Sequence, residues 1–168
     1  MLDRHIHPRL KPLLHRCVSI IDKPAITPDG LTLVGFAIGV LALPFLALGW
    51  YLAALAVIVL NRLFDGLDGA LARRRGLTDA GGFLDITLDF LFYALVPFGF
   101  MLADPAANSL AGGWLLFAFM GTGSSFLAFA ALAAKHQIDN PGYAHKSFYY
   151  LGGLTEGTET ILLFVLGC

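Results

Sequence analysis

The sequence predicts an all-α integral membrane protein, with an N-terminal amphipathic interfacial helix followed by five transmembrane helices. Three observations lead there. Of the 168 residues, 57% are hydrophobic and the mean hydropathy is +0.74, well outside the range of a water-soluble domain. Five apolar windows, 31–49, 51–71, 83–103, 112–134 and 148–168, are long enough to cross a hydrocarbon core, and only the second is interrupted by a basic residue, Arg62. Basic residues alternate between the connections: five precede the first window, Arg73, Arg74 and Arg75 follow the second, and Lys135 and Lys146 flank the loop after the fourth.

The order of elements follows from these features. Leu2, Ile6, Leu10, Leu13, Leu14, Cys17, Val18 and Ile21 recur at helical spacing among Arg, Lys and His, the pattern of a helix lying on a membrane surface. Pro8 and Pro12 place the start of its regular part near Pro12, because an interior proline breaks a helix. Thr27-Pro28-Asp29-Gly30 reads as a turn, and Thr32 as the beginning of the first span. The first and second spans are joined by almost nothing and form a tight helical hairpin. The whole chain, 1–168, reads as one domain, with 1–26 as a juxtamembrane segment and 27–168 as the bundle. By the positive-inside rule the N-terminus, the loop after Arg73 and the 135–146 loop face the cytoplasm. The first thirty residues hold no continuous apolar core, so they are not a signal peptide. Cys17 and Cys168 match no ligand or redox spacing, and no nucleic-acid partner is expected.

The second span runs through Asn61, Arg62, Asp65 and Asp68, and the third opens with Asp85 and Asp89. Asp65 and Asp68 share one helical face, and Asp85 and Asp89 share another. A short loop joins the two helices, read here as antiparallel neighbours, so the four carboxylates converge on one volume. An aspartate at bilayer depth costs roughly 2.5–3.5 kcal/mol on insertion scales, and Arg62 and Arg73 cannot balance four negative charges. Two divalent cations would, and carboxylate oxygens suit Mg²⁺, Mn²⁺ or Ca²⁺. No cluster of His and Cys points to zinc. Gly69, Ala70, Ala72, Gly76, Gly81 and Gly82 leave space beside the carboxylates, and metal, vacant groove and Arg73 together suit a diphosphate. A cation pathway or a polar helix interface is the non-enzymatic alternative. Arg74 and Arg75 read as lipid-headgroup anchors.

As a string, residues 65–89 are Asp65-x-x-Asp68-Gly69-x-x-Ala72-Arg73, eight residues, then Gly82-x-x-x-Asp85-x-x-x-Asp89. This resembles the signature of the CDP-alcohol phosphotransferase (CDP-alcohol phosphatidyltransferase) family, with every fixed position and gap present. The resemblance extends to the N-terminal helix, to Pro28-Asp29-x-x-Thr32 and to the hydropathy profile. It implies metal-dependent transfer of a phospho-alcohol group from a CDP-linked donor to an alcohol hydroxyl, with release of CMP, in phospholipid biosynthesis. Asp65, Asp68, Asp85 and Asp89 match its metal-binding carboxylates, served by two Mg²⁺ or Mn²⁺ ions, and Asp89 also matches its general base. Gly69, Ala72 and Arg73 match positions around the nucleotide and its phosphates, while Asp29, Thr32 and Thr78 sit where members approach the donor. CDP-diacylglycerol is the expected donor, with a soluble CDP-alcohol attacked by diacylglycerol as the alternative, and a homodimer is the assembly the resemblance suggests. The family has six membrane helices against five windows here, a departure that suggests a truncated product. Membrane prenyltransferases also surround Mg²⁺ and a diphosphate with Asp-rich segments, but Gly69, Ala72-Arg73 and Gly82 are not part of their pattern.

The acceptor depends on the last span. Glu156 and Glu159 lie three apart in an apolar segment, with Gly157, Thr158 and Thr160 around them where members acting on phosphorylated polyols carry arginines. An unphosphorylated, cationic amino-alcohol near Glu156, Glu159 and Phe148-Tyr149-Tyr150 is therefore expected. His145 and Lys146 are the features that suit a phosphorylated acceptor. A hydrogen-bonded pair fastening helices together is the structural alternative for the two glutamates.

Overall fold

The computed structural model describes residues 3–137 and 157–168. They form seven helices and no strand: α1 Asp3–Ile21, α2 Pro28–Val40, α3 Ala42–Ala47, α4 Tyr51–Arg75, α5 Asp79–Ala103, α6 Pro105–Lys135 and α7 Gly157–Gly167. The all-α class is as expected from the hydropathy. The helix α2 with α3 (Pro28–Ala47), α5 and α6 are each apolar and long enough to cross a membrane. The 25-residue α4 is also long enough but carries Arg62, Asp65 and Asp68 within its length. The apolar α7 occupies part of the fifth predicted window, the rest of which lies outside the described residues.

Capping residues set the helix starts more sharply than hydropathy does. The residues expected as a turn are the first turn of α2: the Thr27 hydroxyl accepts from the Gly30 N–H at 3.1 Å, Pro28 takes the first helical position and Asp29 faces the positive end of the dipole. The helix thus begins four residues before Thr32. Thr78 caps α5 in the same way, accepting from the Gly81 N–H at 3.0 Å. Asp104 caps α6, accepting from Ala107 at 3.0 Å, with Pro105 following it. That start lies seven residues ahead of the predicted window, because the first two turns of α6 are too polar to register as span. At 31 residues the helix is about 46 Å long, more than the ~30 Å hydrocarbon core requires.

Proline and glycine shape the rest. Pro44 has no N–H for the Val40 carbonyl, and the first span divides at Leu41 into α2 and α3. Gly49, at φ +71°, then reverses the chain, and the Trp50 N–H donates back to Phe45 at 2.8 Å, closing the expected hairpin. Helix α1 differs from expectation at its start: it runs from Asp3 through Pro8 and Pro12, each of which removes one intrahelical bond without ending the helix.

Helix α4 is the hub, packing against α1, α2, α3 and α7, while α5 packs against α2, α3 and α6. Glycines permit the closest approaches. A Cβ at Gly35 would stand 2.6 Å from the Phe64 Cβ, and one at Gly39 would stand 2.9 Å from both Asn61 and Phe92, so α2 lies backbone-close to α4 and α5. Ala42, Leu46, Ala54, Val57, Ile58, Phe92, Val96 and Phe164 form the main core. A second cluster joins Val18 of α1 to Ala70 and Leu71 of α4. The outside is apolar: Leu52 (81% exposed), Leu110 (77%) and Met120 (74%) point away from the protein, as they must in lipid.

Arg74 and Arg75 do not stand free as headgroup anchors. Arg74 Nε lies 3.0 Å from Asp22 and Arg75 Nη2 lies 2.5 Å from it. Arg75 also donates to the carbonyls of Lys23 (2.8 Å) and Ile26 (2.5 Å). The α1–α2 connection offers a carboxylate and carbonyls with no helical partner, and the planar guanidinium fork satisfies several at once.

Candidate active site

The polar face of α4 and the first turns of α5 meet across a cleft. Direct backbone contact between the two helices is sparse: α2 and α3 each pack against both, and α4 and α5 meet through side chains. The cleft between them is lined by Thr32, Gly35 and Phe36 of α2, Asn61, Arg62, Asp65 and Asp68 of α4, and Asp85, Leu88 and Asp89 of α5.

Three of the four aspartates form a compact set: one carboxylate oxygen each from Asp65, Asp68 and Asp85 lie within 4.8 Å of one another. Asp68 is only 4% exposed, and its Oδ2 is buried with no hydrogen-bond partner among the described residues. An unpaired buried carboxylate oxygen is costly. The residue belongs to a cluster with two further carboxylates, which fits a bound cation, and an all-oxygen donor set fits a hard divalent one.

Asp89 is held differently. Its Oδ1 accepts from Arg62 Nη2 at 2.8 Å, and the same guanidinium lies 3.7 Å from Asp65 Oδ2. Arg62 is itself anchored. Its Nε and Nη2 donate to Asn61 Oδ1 at 2.9 and 2.6 Å, and Nη1 donates to the Tyr93 hydroxyl at 3.3 Å. Its guanidinium carbon lies 4.6 Å from the Phe92 ring centroid and 5.3 Å from that of Tyr93. Asn61 in turn donates to the Gly35 carbonyl at 2.9 Å, which ties the assembly to α2.

The remaining expected residues gather at the mouth. Arg73 folds back over Gly69, where a Cβ would lie 3.2 Å from its Nη1; glycine there lets the guanidinium approach the aspartate face. Ala72 lies one residue before Arg73, half-buried. Asp29 and Thr78 meet at the start of α5, since a Cβ at Gly81 would stand 3.0 Å from Asp29 Oδ1 and 2.9 Å from Thr78 Oγ1. Thr32 lines the cleft itself and donates to the Pro28 carbonyl at 3.1 Å. Glu159 stands half-buried in the first turn of α7 and does not line the cleft. Lys146 and Glu156 lie outside the described residues.

Residues 25–166 match the family model described as CDP-alcohol phosphatidyltransferase. The chain belongs to the CDP-alcohol phosphatidyltransferase family. It is 89% identical to "Inner membrane protein YnjF" of Escherichia coli (strain K12) over 168 residues, all of this chain and 82% of that protein. It is 39% identical over 98 residues to an archaetidylinositol phosphate synthase of Pyrococcus horikoshii, covering 58% of this chain and 52% of the relative. A second protein of that name, from Methanothermobacter thermautotrophicus, is 37% identical over 93 residues, 54% of this chain and 48% of the relative. No solved structure matches the chain. Membership makes this a multi-pass membrane transferase of the CDP-alcohol phosphotransferase type, acting in lipid synthesis.

Within the CDP-alcohol phosphatidyltransferase frame, the residue that sequence reasoning missed is Tyr93. It lies four after Asp89, on the same face of α5, and meets the Arg62 that also holds Asp89. Its helical spacing from Asp89 was the available signal. Arg62 and Asn61 stood out as polar residues in an apolar run, but their partners lie on other helices.

Proposed function

We propose that this cleft transfers a phosphatidyl group from a CDP-linked lipid, CDP-diacylglycerol, to an alcohol hydroxyl, releasing CMP, with the site on the cytoplasmic face. The observation that carries the reading is Asp68, a member of the Asp65–Asp68–Asp85 cluster with a buried oxygen that has no partner among the described residues, with Asp89 of the same cleft paired to Arg62. A hard divalent ion such as Mg²⁺ or Mn²⁺, held by the three aspartates, supplies charge neutralisation for a diphosphate.

The chain's own groups do the remaining work. Arg73 at the mouth offers a planar donor fork to the donor's phosphates, and the bare backbone at Gly69 leaves room for them. Asp29, Thr32 and Thr78 surround the approach to the cleft and suit the polar cytidine end. Asp89 takes the acceptor's hydroxyl proton as the acceptor oxygen bonds to the phosphorus nearer the lipid; the bond from that phosphorus to the bridging oxygen breaks, and CMP carries away the electron pair. The apolar exterior keeps the donor's acyl chains in the bilayer while its headgroup reaches the carboxylates. The positive-inside distribution supports a cytoplasmic N-terminus and site.

The sequence pattern at Glu156 and Glu159, acidic residues among Gly157, Thr158 and Thr160 with no arginine between them, supports a cationic amino-alcohol acceptor. The two archaetidylinositol phosphate synthases among the relatives favour a second reading, in which the acceptor is a phosphorylated polyol and Lys146 meets its phosphate. The purified full chain in detergent, given CDP-diacylglycerol, Mn²⁺ and a panel of alcohols, separates them. Turnover with serine or ethanolamine supports the first, turnover confined to inositol phosphate or glycerol 3-phosphate supports the second, and no CMP release with any acceptor overturns both.

A further inference from the structure

We propose that Tyr93 is a positioning residue for the reaction proposed above: its hydroxyl fixes the Arg62 guanidinium and, through it, the carboxylate of Asp89. The inference rests on Asp89 acting as the base in that reaction, and it concerns orientation alone, whichever ions the aspartates bind.

The chemistry of an aromatic cluster gives the first reason. Tyr93 of α5 has its ring centroid 6.1 Å from that of Phe119 on α6 and 6.3 Å from that of Phe164 on α7, and those two rings meet edge-on at 6.4 Å. Aromatic contacts of this kind need no polar atom, so a phenylalanine would fill the same place in the cluster. A hydroxyl set among apolar helices costs free energy until it is hydrogen-bonded. Here it accepts from Arg62 Nη1 at 3.3 Å. Packing thus accounts for the ring, and Arg62 for the oxygen.

The fork of Arg62 gives the second. Nε and Nη2 both donate to Asn61 Oδ1, and Nη2 also donates to Asp89 Oδ1, so these bonds hold one edge of the planar group. The opposite nitrogen, Nη1, meets the Tyr93 hydroxyl and stands at a longer 3.7 Å from Asp65. Without the hydroxyl the guanidinium would be free to tilt about the edge held by Asn61, carrying the Asp89 contact with it. The Phe92 and Tyr93 rings would still face the cation, but a ring face directs it less sharply than a hydrogen bond does. The Tyr93 ring is in turn seated against Phe119 and Phe164, the latter only 3% exposed, which makes the hydroxyl a fixed point. A carboxylate that takes a proton must lie within hydrogen-bond reach of it, and a misplacement of about 1 Å can cost about a hundredfold in rate. Tyr93 therefore bears on kcat without touching substrate.

The test is CMP release from CDP-diacylglycerol by the purified full chain in detergent, with Mn²⁺ and whichever alcohol of the panel above turns over fastest. Tyr93→Phe keeps the ring and removes the hydroxyl. It should lower kcat about 10- to 50-fold with donor KM changed less than about threefold, while its melting temperature stays within about 4 °C of wild type. In an Arg62→Lys background, where the fork is already gone, Tyr93→Phe should change kcat less than about twofold, because a residue acting through another loses its effect once that other is replaced. An unchanged kcat in Tyr93→Phe, a loss confined to KM, or an equal loss in both backgrounds would overturn the proposal and leave the reaction in place. So would a Tyr93→Phe chain that does not fold, since the hydroxyl would then be a requirement of structure. Should Arg62→Lys fail to fold, kcat and KM of Tyr93→Phe decide. A wild type that releases no CMP with any acceptor overturns the reaction and the proposal together.

Discussion

Helix α4 carries two regions that behave oppositely. Its first half, with Ala54, Val57 and Ile58, packs with Ala42 and Leu46 of α3 and with Phe92 and Val96 of α5 into a core in which most side chains are wholly buried. Its second half, from Asn61 to Arg73, meets α5 across a cleft where like charges lie within 4.8 Å and one buried oxygen has no partner among the described residues. The changeover takes only three residues, Ile58 to Asn61. Both regions are held by the same α2–α3 unit, close-packed through Gly35 and Gly39. The apolar half thus supplies the rigidity with which the polar half can keep an unfavourable charge arrangement in place.

Substitutions confined to one half separate the two contributions. The largest effect is expected from Asp68→Asn, which should reduce CMP release by about a thousandfold, or roughly 4 kcal/mol of barrier, while thermal stability in metal-free detergent stays level or rises because a buried like charge is gone. Activity assays beside melting curves check both. Leu46→Ala should show the reverse: a stability loss of about 2–5 kcal/mol from the cavity left in the main core, read by unfolding in detergent, with residual activity per folded molecule preserved.

The two regions also differ in how much of them could be read in advance. Asp65, Asp68, Asp85 and Asp89 were legible because spacings of three and four put residues on one helical face, and hydropathy windows were enough for the helices' existence. Helix starts were legible only through caps: Thr27, Thr78 and Asp104 each bond a backbone N–H three residues on, a signal that an apolar window overlooks. What could not be read is long-range. That α2 and α3 each pack against both α4 and α5, that Arg62 meets Asp89 twenty-seven residues away and that Arg75 meets Asp22 fifty-three residues away are consequences of packing, which no local period encodes.

Gly35 joins the two regions, and Gly35→Ala should affect both. A methyl group there would be driven against Phe64, costing about 1–3 kcal/mol by overpacking, and activity should fall with stability because Asn61 bonds to the carbonyl of that residue. Equal melting temperatures for Gly35→Ala and wild type would mean that α2 can shift without consequence. The smallest effect is expected far from both halves. Asp22→Asn removes partly exposed pairs to Arg74 and Arg75 and should cost no more than about 1 kcal/mol, seen as a slight fall in melting temperature and faster proteolysis in the α1–α2 connection, with CMP release unchanged.

The contrast depends on the polar half being a metal-dependent phosphatidyl-transfer site. The most direct measurement is CMP release from CDP-diacylglycerol by the purified full chain, with Mn²⁺ added and then chelated, in wild type and Asp89→Asn. The expected result is release by the wild type with Mn²⁺ and an acceptor, loss on chelation, and loss in Asp89→Asn of about a hundredfold or more. Release that persists without divalent ions, or an Asp89→Asn chain as active as wild type, would contradict the account.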